Sequence, residues 1–178
     1  MIGLLRIARA TLREFLWSGR IPPGKPHRES LLQDAEVFVT LHHQGTLRGC
    51  LGTETARPLY RVIQETVVAA ASRDPRFDPV HKDELDDITI EVSVMGVYSP
   101  IDNPEQIQIG EHGLLIKQGN QRGLLLPQVP TKHNWDANTF LEQVCVKAGL
   151  AAKAWQDGTT VTEAFTAQVF EEAPKTKH

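Results

Sequence analysis

The spacing of apolar residues predicts three main helices. Hydrophobic side chains recur at helical intervals in residues 2–18, 58–73 and 137–148. Gly19 follows the first of these segments, as expected where a helix ends in a left-handed residue. Asp136 precedes the last segment and can cap its first turn. We therefore expect three amphipathic helices, with a fourth short helix near residues 151–156.

Two β-hairpins are predicted from β-rich segments that flank glycine-containing turns. The paired segments are residues 36–42 with 46–51, and residues 114–118 with 121–126. Gly45 suits the positive φ of the first turn, and Gly119-Asn120 suits the second. The last arm, residues 121–126, is apolar enough for us to expect burial on both faces.

Residues 88–95 alternate strictly between apolar and polar side chains, which is typical of a half-buried strand. Glu91 and Ser93 lie on the polar face, which we expect to face solvent unless a second layer covers it. A final strand is predicted over residues 162–170. Because strands and helices mix without regular βαβ alternation, we expect an α+β fold with two small hairpin-containing halves.

Composition is that of an ordinary globular protein. The 178 residues are 40% hydrophobic and 23% charged, enough to bury a core in one domain or two packed halves. Two cysteines are too few for a disulfide framework, and no N-terminal apolar run precedes a small-residue cleavage site. No apolar stretch approaches the roughly 20 residues that span a bilayer. We expect a cytoplasmic protein without a membrane span.

The net charge of −3 hides an asymmetry. Residues 1–28 carry a net charge of +5, which leaves −8 for the rest of the chain. Arg6, Arg9 and Arg13 share one face of the first predicted helix, which we interpret as a solvated surface. Nucleic-acid binding through this face is a weaker alternative, since the remaining chain is acidic and only 6% of residues are aromatic.

Several common signatures of catalysis or cofactor binding are missing. The sequence contains no G-x-S-x-G, P-loop, G-x-G-x-x-G or C-x-x-C motif. The seven histidines form no close chelating pair, since the adjacent His42 and His43 would point to opposite faces of a strand. We therefore expect neither a metal site nor a cofactor.

The most informative segment is residues 47–53, LRGCLGT. Strand alternation places Arg48 and Cys50 on one face, about 6 to 7 Å apart, where a cation favours a thiolate. Cys50 is thus a candidate nucleophile, and Gly49 and Gly52 can mark close approach of a ligand. The alternative is that Cys50 is a small buried apolar residue and that the glycines admit the following helix.

Other positions carry weaker signals. Arg76, in the segment DPRF after a predicted helix, can cap that helix, form a structural ion pair or bind an anion. His112 lies in a turn between glycines, where an imidazole can act as acid or base. Cys145 lies on the apolar face of the third helix, so we expect it in the core.

Seven segments in a fixed order together resemble the AMMECR family domain. They are LRGCLGT (47–53), DPRF (74–77), EVSV (91–94), GLLLPQV (123–129), WD (135–136), FL (140–141) and CVKAGL (145–150). The resemblance covers roughly residues 4–171. Leu51 and Met95 stand where the family usually has isoleucine and often has leucine, and residues 130–134 are less typical of the family.

The resemblance implies one α+β domain over residues 1–172, built of a larger and a smaller subdomain with mixed or antiparallel sheets and flanking helices. Within it we expect the helix 2–18 and a surface linker 20–30, followed by a flexible tail 173–178. The family resemblance places a cleft between the subdomains, with the Arg-Gly-Cys segment beside it. The binding residues it implies are Arg48, Gly49, Gly52, Arg76, Ser93, Gln128 and Lys147.

The resemblance also implies partner proteins. Bacterial and archaeal members resemble one component of a system with a Memo-like protein, similar to extradiol dioxygenases, and a radical S-adenosylmethionine enzyme. The first hypothesis is an accessory module that binds a small molecule, a modified peptide or such a partner through Arg48, Arg76 and Lys147. The second is a thiol-dependent enzyme with Cys50 as nucleophile and His112 or Glu91 as acid or base.

Overall fold

The computed structural model describes residues 2–24, 26, 28–53 and 55–173, with the backbone alone described at residue 2. Lys25, one of the cations counted above, and residues 174–178 of the predicted tail 173–178 lie outside these ranges. The helices are α1 (Ile2–Ser18), α2 (Leu59–Ser72), α3 (Gln128–His133) and α4 (Ala137–Lys147). The strands are β1 (Asp34–Ala35), β2 (Val37–His43), β3 (Thr46–Gly52), β4 (Arg57–Pro58), β5 (Ile88–Pro100), β6 (His112–Gln118), β7 (Gln121–Leu125) and β8 (Val161–Glu171).

The fold is α+β with antiparallel strands, as expected. The chain divides into two compact units: the larger comprises Met1–Met95 with Gln168–His178, and the smaller comprises Gly96–Ala167. β5 and β8 each contribute residues to both units. The resemblance implied a larger and a smaller subdomain of this kind.

In the larger unit, β2 pairs antiparallel with β3 on one side and with β5 on the other. The turn between β2 and β3 has positive φ at Gln44 (51°) and Gly45 (82°), so the predicted tight hairpin is confirmed. Apolar residues of β2 and β5 are fully buried and pack in one core with α1 and α2. The core residues of the two strands are Val37, Val39, Leu41, Ile88, Ile90 and Val92.

The smaller unit has its own core. β6 pairs antiparallel with β7 and with β8. Buried side chains of α4 pack with Leu114 and Ile116 of β6. Cys145 is fully buried in this cluster, which confirms its predicted core role. The predicted cap of α4 is also present, since the Asp136 side chain accepts a hydrogen bond from the Thr139 N–H at 2.8 Å.

One local prediction was wrong, and one helix was missed. β7 is not buried on both faces: Gln121 and Arg122 are exposed, because β7 pairs only with β6 among the described strands and packs one face on α4. Gly123 lies on the face of β7 that packs on α4. A Cβ added to Gly123 would lie 2.6 Å from the Ala148 nitrogen. Helix α3 was not predicted, because Pro130 and the lack of apolar periodicity mask it.

Candidate functional site

The candidate site lies on the face of the β3–β2–β5 sheet opposite the apolar core of the larger unit. In register, Thr40 of β2 stands opposite Cys50 on β3 and opposite Glu91 on β5. Directly paired residues of antiparallel strands share a face. Cys50, Thr40 and Glu91 therefore form one polar row across three strands.

Cys50 is half-buried and does not belong to the apolar core. The Thr40 hydroxyl donates a hydrogen bond to its Sγ at 3.3 Å. The backbone N–H of Cys50 donates to Asp74 Oδ2 at 2.8 Å, and the Cys50 carbonyl accepts from Arg76 Nη2 at 3.2 Å. Cys50 is thus neither fully buried nor part of the apolar core, and the segment after α2 holds its backbone in place. Exposure of the thiol itself stays a prediction.

Asp74 and Arg76 form the ion pair that organises this site. Arg76 donates through Nε and Nη2 to the two carboxylate oxygens of Asp74 at 2.9 and 2.7 Å. The Asp74 side chain is 2% exposed, whereas that of Arg76 is 56% exposed. The hydrogen bonds from Arg76, helped by the Cys50 N–H and opposed by burial, lower the pKa of Asp74 to about 2. The carboxylate thus orients a guanidinium that reaches solvent.

Arg76, rather than Arg48, is the cation next to Cys50. The pKa of Arg76 is raised mainly by its hydrogen bond to Asp74; burial opposes this, and the Cys50 side chain adds a smaller contribution. The hydrogen bond from Arg76 Nη2 to the Cys50 carbonyl oxygen at 3.2 Å places the guanidinium beside Cys50. The structural ion pair considered for Arg76 is present, and the guanidinium also reaches the site.

Arg48 is committed elsewhere. Its guanidinium donates to both carboxylate oxygens of Glu84 at 2.7 and 2.9 Å, and to the carbonyls of Asp78 and Pro79 at 2.8 and 3.3 Å. The hydrogen bond with Glu84 raises the pKa of Arg48 and lowers that of Glu84. A register shift leaves Arg48 without a cross-strand partner. The expectation that Arg48 activates Cys50 is replaced by a structural role for Arg48.

The glycines of the segment are explained by packing. A Cβ on Gly49 would lie 2.2 Å from the Ala70 carbonyl oxygen of α2. A Cβ on Gly52 would lie 2.5 Å from the ring of Phe38. The interpretation that Gly49 admits the following helix is therefore confirmed, and Gly52 makes room for a neighbouring aromatic ring.

Glu91 and Ser93 do not face solvent, contrary to the expectation for the polar face of their strand. Glu91 is 7% exposed and Ser93 is 1% exposed. Both make polar interactions. Hydropathy alternation alone does not reveal that these two polar side chains are buried.

Three predicted site residues belong to the smaller unit. His112 begins β6, and its Nδ1 accepts a hydrogen bond from the Gln108 N–H at 3.1 Å, so one ring nitrogen is committed to the turn. Gln128 is half-buried at the start of α3, and Lys147 is exposed in the last turn of α4. Their contributions to a common site with Cys50 stay predictions.

Sequence reasoning missed two residues of the site. Asp74 was named only as part of the DPRF segment, although an acid two positions before an arginine is a usable signal for a local ion pair. Thr40 carries no sequence signal, since its role depends on register with Cys50. Among residues 2–24, 26, 28–53 and 55–173, no three His, Cys, Asp or Glu side chains are grouped to hold a metal ion.

The basic face of α1 differs from a simple solvated surface. Arg6 and Arg13 are exposed, but Arg9 is partly buried and binds the Glu172 carboxylate. Arg9 also donates to the carbonyls of Leu85 and Ile88 at 3.1 and 2.7 Å. Of the three arginines on this face of α1, Arg6 and Arg13 are therefore left for nucleic-acid binding. In the described part of the chain, no helix has the length and apolar character needed to cross a bilayer.

Comparison with known proteins gives consistent matches over almost the whole chain. The AMMECR1 family model matches residues 5–170. A protein from Methanothermobacter thermautotrophicus is 44% identical over 95% of this chain and 92% of its own length. A protein from Thermococcus gammatolerans is 42% identical over 95% and 88%.

Structural similarity agrees. The crystal structure of uncharacterized protein PH0010 from Pyrococcus horikoshii matches with a TM-score of 0.91 at 39% identity, covering 96% of this chain and 90% of that one. The range that the family model matches, residues 5–170, includes Cys50, Asp74 and Arg76 of the candidate site. This chain belongs to the AMMECR1 family.

Proposed function

We propose that the chain is a binding component, and that Arg76 receives an anionic group of a small molecule, a modified peptide or a partner protein beside Cys50. The observation that carries this is the guanidinium itself: it is 56% exposed and held by a nearly buried carboxylate. Its Nη1 has no hydrogen-bond partner among the described residues. A pre-oriented guanidinium with a free edge suits carboxylate or phosphate recognition.

The surroundings of the thiol favour binding over catalysis. Two groups described next to Cys50 are the Thr40 hydroxyl, which donates to Sγ, and the Arg76 guanidinium, which donates to the Cys50 carbonyl oxygen. Neither group accepts a proton at neutral pH. Two hydrogen-bond donors at this position suit recognition of an anionic group.

The resemblance stated above supplies the partners to test, a Memo-like protein and a radical S-adenosylmethionine enzyme. The proposal has the chain act as an accessory component that presents or holds a substrate for them. An acidic side chain of the partner, or an anionic substrate group, would bind at Arg76.

Substitution of Arg76 tests this proposal. Titration of a Memo-like protein and of a radical S-adenosylmethionine enzyme should show binding that Arg76→Ala weakens about tenfold or more, as expected for loss of a charged hydrogen bond. Arg57→Ala is the matched control, since Arg57 is exposed and paired with Glu65 in the same unit. It should change affinity by less than about twofold.

Two results would count against binding at Arg76. The first is that neither partner binds and no compound of an anionic metabolite panel raises the melting temperature. The second is equal weakening by the Arg76 and Arg57 variants. Arg76→Lys keeps the charge but loses the two parallel hydrogen bonds to Asp74. Circular dichroism spectra of the variants show whether a loss of binding comes from unfolding.

A thiol-dependent reaction is the alternative, and the half-buried Cys50 beside Arg76 favours it. Iodoacetamide should label one cysteine in the native protein and two after unfolding. Cys145 is fully buried, and burial raises the pKa of its thiol, so it should react only in the unfolded chain. Intact mass spectrometry of Cys50→Ser and Cys145→Ser variants assigns each label.

The pH dependence of that labelling separates the two functions. An activated nucleophile reacts nearly as fast at about pH 6.5 as at about pH 8.5, whereas an ordinary thiol slows strongly over that interval. Labelling rates of Cys50 that stay nearly constant over this pH interval would favour the thiol-dependent enzyme. A native Cys50 that does not react at all would remove the basis for it.

A further inference from the structure

A polar cavity lies within the smaller unit, beside the start of β8 and the α4 side chain Leu141. It has a volume of about 260 Å³, just below the range of drug-sized ligand sites, so only a small ligand fits. Leu141 and the half-buried Trp155 form an apolar part of the wall, and Thr162 of β8 also lines it. All residues that line this cavity belong to the smaller unit, and none contributes to the Arg76 site.

Thr162 contributes a buried polar group to this cavity. It pairs with Ile116 of the smaller unit's core, so its side chain faces α4. The residue is 9% exposed, and its hydroxyl forms no hydrogen bond with the residues that the structure describes. The hydroxyl oxygen is not sealed from solvent, in contrast to the indole nitrogen of Trp155. A ligand in the cavity can therefore reach the Thr162 hydroxyl and supply the hydrogen bond that it lacks.

Two carboxylates line the same cavity without a cation. Asp102 and Asp157 are both exposed, and neither forms an ion pair within the described part of the chain. Asp157 Oδ1 accepts the Thr159 N–H at 3.2 Å, which orients this carboxylate. The lining residues include no lysine, arginine or histidine. The negative charge at the rim of the cavity therefore favours a cationic ligand.

Hydrogen bonds fix the turn that carries Asp102. The N–H groups of Asp102 and Asn103 donate to the Gln106 side-chain oxygen at 2.9 and 3.0 Å. The Ile101 N–H donates to the Thr162 carbonyl at 3.0 Å, so this turn is joined to β8. Asp102 is thus held one residue away from the bond that links the turn to the Thr162 backbone. A rim that is fixed before the ligand arrives lowers the entropic cost of binding.

We propose that this cavity binds a small organic cation that carries a hydroxyl group, such as a short amino alcohol. The ammonium group binds Asp102 and Asp157 at the exposed rim, where it stays partly hydrated. The apolar chain lies against Leu141 and Trp155, and the hydroxyl forms a hydrogen bond with Thr162. A neutral group suits the inner position, because burying a charge away from its partners is costly. This site is independent of the proposed function, and either can fail without the other.

The compound 5-amino-1-pentanol is a suitable probe, because an apolar chain separates its ammonium from its hydroxyl. Its dissociation constant should be about 1 to 10 mM, as expected for so small a ligand. In ¹⁵N NMR titrations of the full chain at constant pH, shifts should concentrate on residues 101–104 and 156–162. Two analogues separate the interactions: pentylamine lacks the hydroxyl, and 1,5-pentanediol lacks the charge. Pentylamine should bind about threefold more weakly and the diol about fivefold more weakly.

Charge variants test the ammonium contact. Asp102→Asn with Asp157→Asn should weaken binding of 5-amino-1-pentanol about fivefold and leave binding of 1,5-pentanediol unchanged. Glu105→Gln with Glu111→Gln is the matched control. It removes the same charge from two exposed residues of the same unit that do not line the cavity. The control should change the affinity by less than about twofold, because salt screens charges that make no contact with the ligand.

Hydroxyl variants test the inner contact. Thr162→Val should weaken binding of 5-amino-1-pentanol about threefold and leave binding of pentylamine unchanged. Thr166→Val is the control, because Thr166 is exposed on the same strand and does not line the cavity. Without ligand, Thr162→Val should not lower the melting temperature, because its hydroxyl has no described partner to lose. A marked drop would show that the hydroxyl is already satisfied in the folded chain and would overturn the inference.

Three further results would overturn it. The first is the absence of shifts at these residues with about 50 mM 5-amino-1-pentanol, well above the expected dissociation constant. The second is equal affinity for the probe and for 1,5-pentanediol, which would show that charge is not recognised. The third is equal weakening by the aspartate and glutamate double variants, which would show an effect of net charge without contact at the rim.

Discussion

At the residue scale, Asp74 contributes most to the candidate site. Its carboxylate accepts the Cys50 N–H and both prongs of Arg76, so one side chain joins β3 to the segment after α2. Nearly complete burial makes these bonds effective, since water does not compete for them. The charge of Asp74 should therefore contribute to stability in a pH-dependent way.

The Asp74→Asn variant tests that contribution. The pKa of Asp74 is lowered from 3.8 to about 2 in the folded protein, which corresponds to about 2 kcal/mol of stability at neutral pH. For a lowered carboxylate pKa, this stability is present above pH 3.8 and is lost as the pH falls through about 2. Asp74→Asn should therefore cost about 2 kcal/mol near neutral pH and progressively less in acid.

Urea unfolding across this pH range measures the difference. Asp86→Asn is the control, because Asp86 is exposed and should change the free energy of unfolding by less than about 0.5 kcal/mol. A cost of Asp74→Asn that is the same near pH 6 and near pH 2.5 would contradict the assigned ionisation.

At the element scale, the contact of β3 with α2 determines how closely the Cys50 strand approaches its helix. Gly49 is the contact point, and its missing side chain lets the backbone of the strand touch the Ala70 carbonyl. Leu51, the next residue on this face, packs partly buried against the core. The position of Cys50 on the opposite face depends on this contact.

Gly49→Ala should therefore be strongly destabilising. The added Cβ would meet backbone, which cannot rotate away, so we expect a loss of about 3 kcal/mol or more. Gly158→Ala is the control, since nothing lies within 4 Å of its added Cβ and no left-handed φ constrains it. Thermal unfolding compares the two, and equal melting temperatures would contradict the described packing.

At the scale of the whole molecule, a contact between distant parts of the sequence closes the larger unit. Arg9 of α1 binds Glu172, which lies just after β8, across 163 positions of the chain. Glu172 also accepts the Ile90 N–H of β5 at 3.0 Å. Both side chains are less than one-fifth exposed, so this pair should contribute more than a surface ion pair.

A double-mutant cycle of Arg9→Ala and Glu172→Ala measures that contact. We expect a coupling free energy of about 1 to 3 kcal/mol from urea unfolding. The exposed pair Arg57–Glu65 provides the comparison and should couple by about 0.5 kcal/mol or less. Similar coupling in the two pairs would show that burial of the Arg9 pair adds nothing.

Local features of the fold were predictable, and long-range ones were not. The bounds of α2 and α4 and the turn at Gly45 follow from periodicity and from glycine conformation, which act within a few residues. The exposure of β7 was mispredicted because composition does not reveal which strand lies at an edge. The burial of Glu91 and Ser93 was mispredicted because alternation identifies a face but not what covers it.

By itself the sequence determined the α+β class, the family and the segment that holds Cys50, since these depend on local pattern and on the order of motifs. Only the tertiary structure decided which arginine accompanies the thiol. Arg48 pairs with Glu84, 36 positions away, while Arg76 is brought to Cys50 from 26 positions away. Strand alternation specifies the direction of a side chain, but ion pairs form with whatever charge the folded chain places within reach.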